Sequence, residues 1–237
     1  MKFCILENDY LDPAIEATYV GYGAMFERLL RDAGASGTFD IFNTVKGQYP
    51  DTFDGYDAVF LTGSRADAFS QEPWVVVLRG KVEALLASKK KLIGVCLGHQ
   101  LIARCMGARV GRAPQGWGAG RLQYQWLAPD FPQAQGREDV ALLASHQDQV
   151  FDLPPGARLL ATSEFCPVAA FSVADHVFCV QPHPEFVEDY SAFLLNKRRP
   201  ILGEDKYATC IQSLEHGHDG EAVARMRRGQ VFRQGGY

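Results

Sequence analysis

The sequence predicts an α/β fold: a mainly parallel central sheet flanked by helices, with a small antiparallel extension. Short apolar runs alternate with amphipathic stretches in the first part of the chain, the pattern of repeated strand–helix–strand units. Between Arg121 and Val173 apolar runs follow one another with few helical stretches, which points to antiparallel neighbours beside the main sheet. The 237 residues, 47% of them apolar, are enough for one α/β domain with a large core.

Taken in order, Phe3 to Asn8 reads as the first strand and Gly21 to Ala33 as a helix, followed by strands at Thr38 to Asn43 and Ala58 to Thr62. A helix over Trp74 to Ser88 leads into a buried strand ending at Val95, and a further helix runs from Leu97 to Met106 and stops at Gly107. The antiparallel part is read as strands Leu122 to Leu127, Val140 to Ser145, Leu159 to Ser163 and Val168 to Val173, with Pro129, Pro132, Pro154 and Pro155 marking turns. A buried strand starts at Val177. The segment Lys206 to Phe232 reads as a final helix with Arg225, Arg227 and Arg228 on a solvated face.

Composition excludes several classes of function. The net charge is -4 and there is no basic stripe, so no nucleic-acid surface is expected; Lys89 to Lys91 read as solvating a helix end. No run of 18 apolar residues occurs and Met1-Lys-Phe-Cys-Ile-Leu leads straight into a strand, so neither a membrane span nor a leader is expected and the chain reads as cytoplasmic. Cys4, Cys96, Cys105, Cys166, Cys179 and Cys210 have no framework spacing, and neither C-x-x-C nor H-E-x-x-H occurs, so no metal is expected. All but Cys96 read as reduced core or surface thiols.

The most informative stretch is Lys91-Leu-Ile-Gly-Val-Cys-Leu-Gly-His-Gln100, a buried strand that turns sharply into a helix with a cysteine at the corner. Such an elbow needs small residues two positions either side of the nucleophile, where the turn crowds the backbone, and Gly94 and Gly98 meet that need. Cys96 then stands at the positive end of a helix dipole, which favours thiolate. A matching base lies in Val177-Phe-Cys-Val-Gln-Pro-His-Pro-Glu-Phe186. Residues at i and i+2 of a strand share a face, so His183 and Glu185 can point the same way while Pro182 and Pro184 end sheet pairing. A thiol, a histidine to take its proton and a carboxylate to fix the histidine's tautomer make up nucleophilic catalysis.

These motifs resemble the class I glutamine amidotransferases, in an order and spacing that also place Leu61-Thr-Gly-Ser64 at the family's oxyanion loop and Ser145-His-Gln-Asp148 at its glutamine-binding segment. Gly116-Trp117-Gly118 is similar to the stand-alone members related to the amidotransferase domain of GMP synthase, a group that includes gamma-glutamyl peptidases. The resemblance implies a flavodoxin-like amidotransferase fold, with residues 1–237 as a single class I glutamine amidotransferase domain. It implies Cys96, His183 and Glu185 as catalytic residues, backbone amides of Gly63 and Leu97 as the oxyanion site, and Gln100, Ser145 and His146 as substrate-binding residues. The oxyanion loop departs from the commoner pattern of two successive glycines, since Ser64 and Arg65 follow a single one. His99, one turn into the elbow helix, reads as structural because His183 has the better partner.

The implied reaction is attack of the Cys96 thiolate on a gamma-glutamyl carbonyl and hydrolysis of the resulting thioester, with no cofactor. The leaving group is open at this level. Glutamine hydrolysis is the first reading, with ammonia passing to solvent or to a separate synthetase subunit, because G-x-x-x-x-G-K-[ST] is absent from this chain. A gamma-glutamyl peptidase, with Arg65, Arg112 or Trp117 lining a larger pocket for a glutathione-like peptide or a gamma-glutamylated amine, is the second. A non-catalytic partner-binding module is the third.

Overall fold

The computed structural model describes residues 1–129 and 138–231, with side chains through 225. The chain order is β1 (Lys2–Glu7), α1 (Pro13–Tyr19), α2 (Tyr22–Asp32), β2 (Thr38–Asn43), β3 (Ala58–Leu61), α3 (Pro73–Ala87), β4 (Leu92–Val95), α4 (Leu97–Cys105), β5 (Val110–Arg112), β6 (Gly118–Trp126), β7 (Asp139–His146), β8 (Asp148–Val150), β9 (Arg158–Thr162), β10 (Ala170–Val173), β11 (Val177–Val180), α5 (Glu188–Leu202), α6 (Glu204–Ser213) and α7 (Gly220–Val231). Nine strands form one sheet in the order β2-β1-β3-β4-β11-β10-β9-β6-β7, and β5 pairs with β8 apart from it. The pairs from β2 through β11 are parallel; those from β11 to β7 are antiparallel.

The central strands are apolar on both faces because both are covered. Along β1, Phe3 and Ile5 join one core with Phe26 and Leu30 of α2, while Cys4 and Leu6 join another with Leu78 and Val82 of α3 and Leu97 and Leu101 of α4. Full burial of strands on both faces produces the continuous apolar runs seen in the sequence, rather than alternation. A third cluster, including Tyr22, Phe186, Tyr190, Leu195 and Cys210, packs α5 and α6 against the antiparallel end.

The elements read from the sequence sit where expected through α4, and the antiparallel strands occur within a few residues of the expected runs. The expected helix from Lys206 to Phe232 is corrected. The chain leaves α6 at Ser213, makes a 3-10 turn over Leu214–His216 and restarts as α7 at Gly220. Gly217 has φ 62 there, a left-handed conformation that helices do not continue through. Asp219 anchors the restart, its backbone amide donating to the Ala141 carbonyl and its carboxylate accepting from the Ala141 amide. Arg225 pairs with Glu221 on the same helix. Pro132, Phe232 and the side chains of Arg227 and Arg228 lie outside the described residues.

Helices α1 and α5 and the short strands β5 and β8 had no counterpart in the sequence reading. Strand order is what assembles the site. β3, β4 and β11 are parallel neighbours, so the residues just past their carboxyl ends, Gly63, Cys96 and His183, meet at one edge of the sheet.

Candidate active site

Cys96 adopts φ 51 and ψ -102 between β4 and α4, a backbone conformation that costs about 1–3 kcal/mol in a residue with a side chain. Close packing holds it there. A Cβ on Gly94 would lie 2.6 Å from the Gly98 carbonyl carbon, and one on Gly98 would lie 2.6 Å from the Leu61 carbonyl oxygen, so β4, α4 and β3 approach at distances only hydrogen allows. The Cys96 amide donates to Val180 of β11 and its carbonyl accepts from Gln100, fixing both ends of the turn. Leu97 is the first residue of α4, where helix geometry leaves a backbone amide without an intrahelical partner. Its side chain is buried in the core.

His183 and Glu185 are both buried, and the His183 Nδ1 lies 2.7 Å from a Glu185 carboxylate oxygen. The imidazole stacks on Phe186 with ring centroids 3.8 Å apart, and the His183 amide donates to the Leu143 carbonyl of β7. Burial alone would drive this ring toward its neutral form. The negative charge of Glu185 and the Cys96 sulfur, which is in side-chain hydrogen-bonding contact with the ring, outweigh burial and hold its pKa well above the ordinary histidine value. The second oxygen of Glu185 is buried and has no hydrogen-bond partner among the described residues, so its charge is directed at the imidazole.

Gly63 closes the group: a Cβ there would come within 2.7 Å of the His183 ring and 3.3 Å of the Cys96 Cβ. Its loop is tied down by Asn8, whose amide and side-chain nitrogen donate to the Thr62 hydroxyl and carbonyl. On the other side Asp9 accepts from the Arg65 amide and from two nitrogens of the Arg65 guanidinium.

A cleft of about 150 Å3 opens beside Cys96, and Gln100, Ser145, His146, Asp148, Arg65, Arg112 and Trp117 all line it. Gln100 is committed inward, with its side-chain nitrogen donating to the Asp148 carbonyl and to Gln181. His146 Nδ1 faces the Asp148 backbone carbonyl, while Nε2 is buried with no partner among the described residues; burial, aided by the charge on His183, lowers its pKa to about 3, so it serves as a neutral ring. His99 is likewise buried against Gln181, with its pKa lowered to about 3 by desolvation. The β5–β8 ladder pairs Arg112 with Asp148, and the Arg112 guanidinium reaches Asp148, Asp67 and Gln147. Burial and then the neighbouring Asp67 raise the Asp148 pKa to about 6.

Asp67 and Arg198 also line this cleft, and sequence reasoning missed both. Asp67 lies four residues past Gly63, within reach of inspection; Arg198 arrives from α5, for which no sequence signal was read. Among the described residues, no group of three or more His, Cys, Asp or Glu is arranged to hold a metal ion, and no helix is long and apolar enough to cross a membrane.

The model of the glutamine amidotransferase class-I family matches residues 19–197. The chain belongs to that family. It is similar to gamma-glutamyl peptidase 3 of Arabidopsis thaliana, 38% identical over 181 residues that cover 73% of this chain and 72% of that protein. Gamma-glutamyl peptidase 2 of the same plant is 33% identical over 195 residues, 79% of this chain and 77% of that protein. One component of the glutamine-hydrolyzing GMP synthase of Thermococcus kodakarensis is 38% identical over 120 residues, 48% of this chain and 61% of that one. Among solved structures, a glutamine amidotransferase from Thermotoga maritima superposes with a TM-score of 0.77 over 98% of both chains at 20% identity, a likeness of fold. The amidotransferase architecture, a mostly parallel sheet with antiparallel strands and flanking helices, is therefore shared.

Proposed function

We propose that this chain hydrolyses gamma-glutamyl amide bonds through a glutamyl thioester, with glutamine as the simplest substrate and residues 1–237 acting as one amidotransferase domain. The observation that carries this reading is the convergence of Gly63, Cys96, His183 and Glu185 at three adjacent strand ends, with Glu185 hydrogen-bonded to His183. The Cys96 sulfur attacks the gamma-carbonyl carbon, and the amides of Gly63 and Leu97 receive the oxyanion. His183 gives its proton to the leaving nitrogen as the C–N bond breaks. Water then attacks the thioester with His183 taking its proton, which releases glutamate and the free thiol. Glu185 holds the ring in one orientation throughout and, when the ring is neutral, in one tautomer.

The amino-acid end of the substrate carries an ammonium and a carboxylate. Asp67, Arg112 and Asp148 put both signs of charge on the cleft wall, with Ser145, Gln100 and His146 beside them, and we assign the glutamyl head to this wall. No cofactor takes part in this scheme. The six cysteines are all free thiols, which supports a reducing, cytoplasmic site of action.

A gamma-glutamyl peptidase reading is favoured over a component that feeds ammonia to a separate synthetase by one feature, the presence of Arg65, Trp117 and Arg198 in the cleft lining besides the wall assigned to the glutamyl head. The names of the Arabidopsis relatives agree with it; that of the Thermococcus relative keeps the synthetase partner as the alternative. The test is release of glutamate from glutamine and from a gamma-glutamyl dipeptide by the purified chain. Cys96→Ser is the blank and is expected to lose more than about a thousandfold in rate. Turnover by the blank equal to that of the native chain would overturn the mechanism. Glutamine turnover without dipeptide turnover would overturn the peptidase reading.

A further inference from the structure

A second cavity, of about 170 Å3, lies between α1 and α5; Tyr10, Tyr22, Tyr190 and Phe193 line it, with Asp12 and three cations on its walls. It shares two wall residues, Arg65 and Arg198, with the catalytic cleft. The two spaces therefore adjoin across a pair of guanidinium groups, one side holding Cys96 and the other mostly aromatic.

The three cations differ in how their charge is met. Arg65 is neutralised by Asp9 in a two-pronged pair, and Lys197 is paired with Asp12. Arg198 is half-buried on α5, with its guanidinium carbon over the Trp117 ring, 4.7 Å from the ring centre. Among the described residues it has no carboxylate partner. Burial works against its charge, and the groups that act on it are Tyr22, Tyr190, the Cys96 sulfur and the repelling Arg65. A partly desolvated guanidinium held between an aromatic cavity and the nucleophile, with its fork uncommitted, is suited to a carboxylate brought by a ligand. The glutamyl head already has its own wall at Asp67, Arg112 and Asp148, so the carboxylate that Arg198 fits belongs to the other half of the substrate.

We propose that Arg198 and the aromatic cavity form a leaving-group subsite for an amino acid that carries a free carboxylate and an apolar or aromatic side chain. This rests on the gamma-glutamyl hydrolase reading and sharpens it. The bond broken is the amide between the glutamyl gamma-carbonyl carbon and the alpha-nitrogen of that amino acid; the nitrogen leaves as an amine with the proton from His183. The carboxylate rests on Arg198 while the side chain enters the space bounded by Tyr10, Tyr190 and Phe193.

The experiment compares kcat/KM for gamma-glutamyl-phenylalanine, gamma-glutamyl-phenethylamine, gamma-glutamyl-glycine and glutamine on the native chain, Arg198→Gln and Arg198→Lys. Phenethylamine lacks only the carboxylate, and glycine lacks only the side chain. The native chain is expected to prefer the phenylalanine compound at least tenfold over either truncated one. In Arg198→Gln the preference over phenethylamine is expected to fall to near one, and Arg198→Lys is expected to keep part of it. Equal turnover of the phenylalanine and phenethylamine compounds by the native chain would overturn the proposal, and that result needs no variant to fold. An equal loss on all four substrates in Arg198→Gln, with an unchanged thermal melt, would also overturn it. Glutamine turnover without these ratios sinks the subsite alone. Silence on all four, together with failure of a glutamine-like electrophile to label Cys96, sinks the hydrolase reading and the subsite with it.

Discussion

The parallel and antiparallel halves of the sheet furnish one cleft with two different kinds of residue. From β3, β4 and β11 come Gly63, Cys96 and His183, held by main-chain packing so tight that Gly94 and Gly98 have no room for a methyl group. From β7 come Ser145 and His146, and from β8, in the two-stranded ladder beside that half, comes Asp148, set by an arginine whose side chain is 52% exposed. The proposed nucleophile is fixed by main-chain packing, whereas Asp148 of the proposed recognition wall is fixed by side-chain charge. The first arrangement resists change and the second invites it.

The largest expected effect is on the parallel side. Glu185→Gln keeps the shape but removes the charge that holds the His183 pKa up, and turnover of glutamine at neutral pH is expected to fall by about a hundredfold to ten-thousandfold. The raised pKa means that the native ring keeps its proton through neutral pH and loses it only in the alkaline range. The rate should therefore fall on the alkaline side, and that fall should move toward neutral pH in the variant. A pH–rate profile of both proteins checks this; unchanged profiles would remove Glu185 from the proposed triad.

Next comes packing. Gly98→Ala puts a methyl carbon against the Leu61 carbonyl and is expected to cost roughly 1–3 kcal/mol of stability, whereas Gly80→Ala on α3 meets nothing within 4 Å and should be neutral or slightly stabilising. Thermal melts of the two variants decide it, and equal melts would mean that the elbow is looser than drawn. On the antiparallel side, Arg112→Ala should raise KM for glutamine about tenfold with kcat nearly unchanged, the mark of lost ground-state binding. A fall in kcat alone would place Arg112 with the chemistry and blur the division between the halves.

The smallest effect is global. His99 and His146 stay neutral in the folded chain down to about pH 3, because burial disfavours their charged forms. Unfolded, each takes up a proton near pH 6.5. The unfolded chain therefore binds more protons between these limits, so the stability from neutral burial is full above pH 6.5 and declines as pH falls. Urea midpoints between pH 7 and pH 4 measure it, with Gln replacing each histidine as the comparison; identical slopes would remove the histidines as its source.

What was legible in the sequence follows the same division. Gly94, Cys96 and Gly98 form a local pattern, and Pro182 and Pro184 bracket His183, so spacing alone exposes them. The helices α1 and α5 and the strands β5 and β8 leave weaker signals: the strands have three residues each, and α5 contains Pro200 with a mixed apolar pattern. Their stability comes from distant partners such as the Tyr22–Tyr190 contact, which no short window contains. Arg198 was invisible for that reason, whereas the break at Gly217 is marked in the sequence by Gly217-His-Asp-Gly220, a turn signal inside the segment read as helix. Gln100 was expected to face substrate, and although it lines the cleft, its nitrogen is spent on Asp148 and Gln181.

The hydrogen bond from the His183 amide to the Leu143 carbonyl ties the two halves together. Leu143 and Ser145 lie two residues apart on β7, on the same face of the strand. A ligand that pulls on Ser145 therefore pulls on the strand that anchors the base. On the proposed roles, recognition and proton transfer share one mechanical linkage, so a substrate that seats badly against the wall would loosen the histidine as well as its own grip.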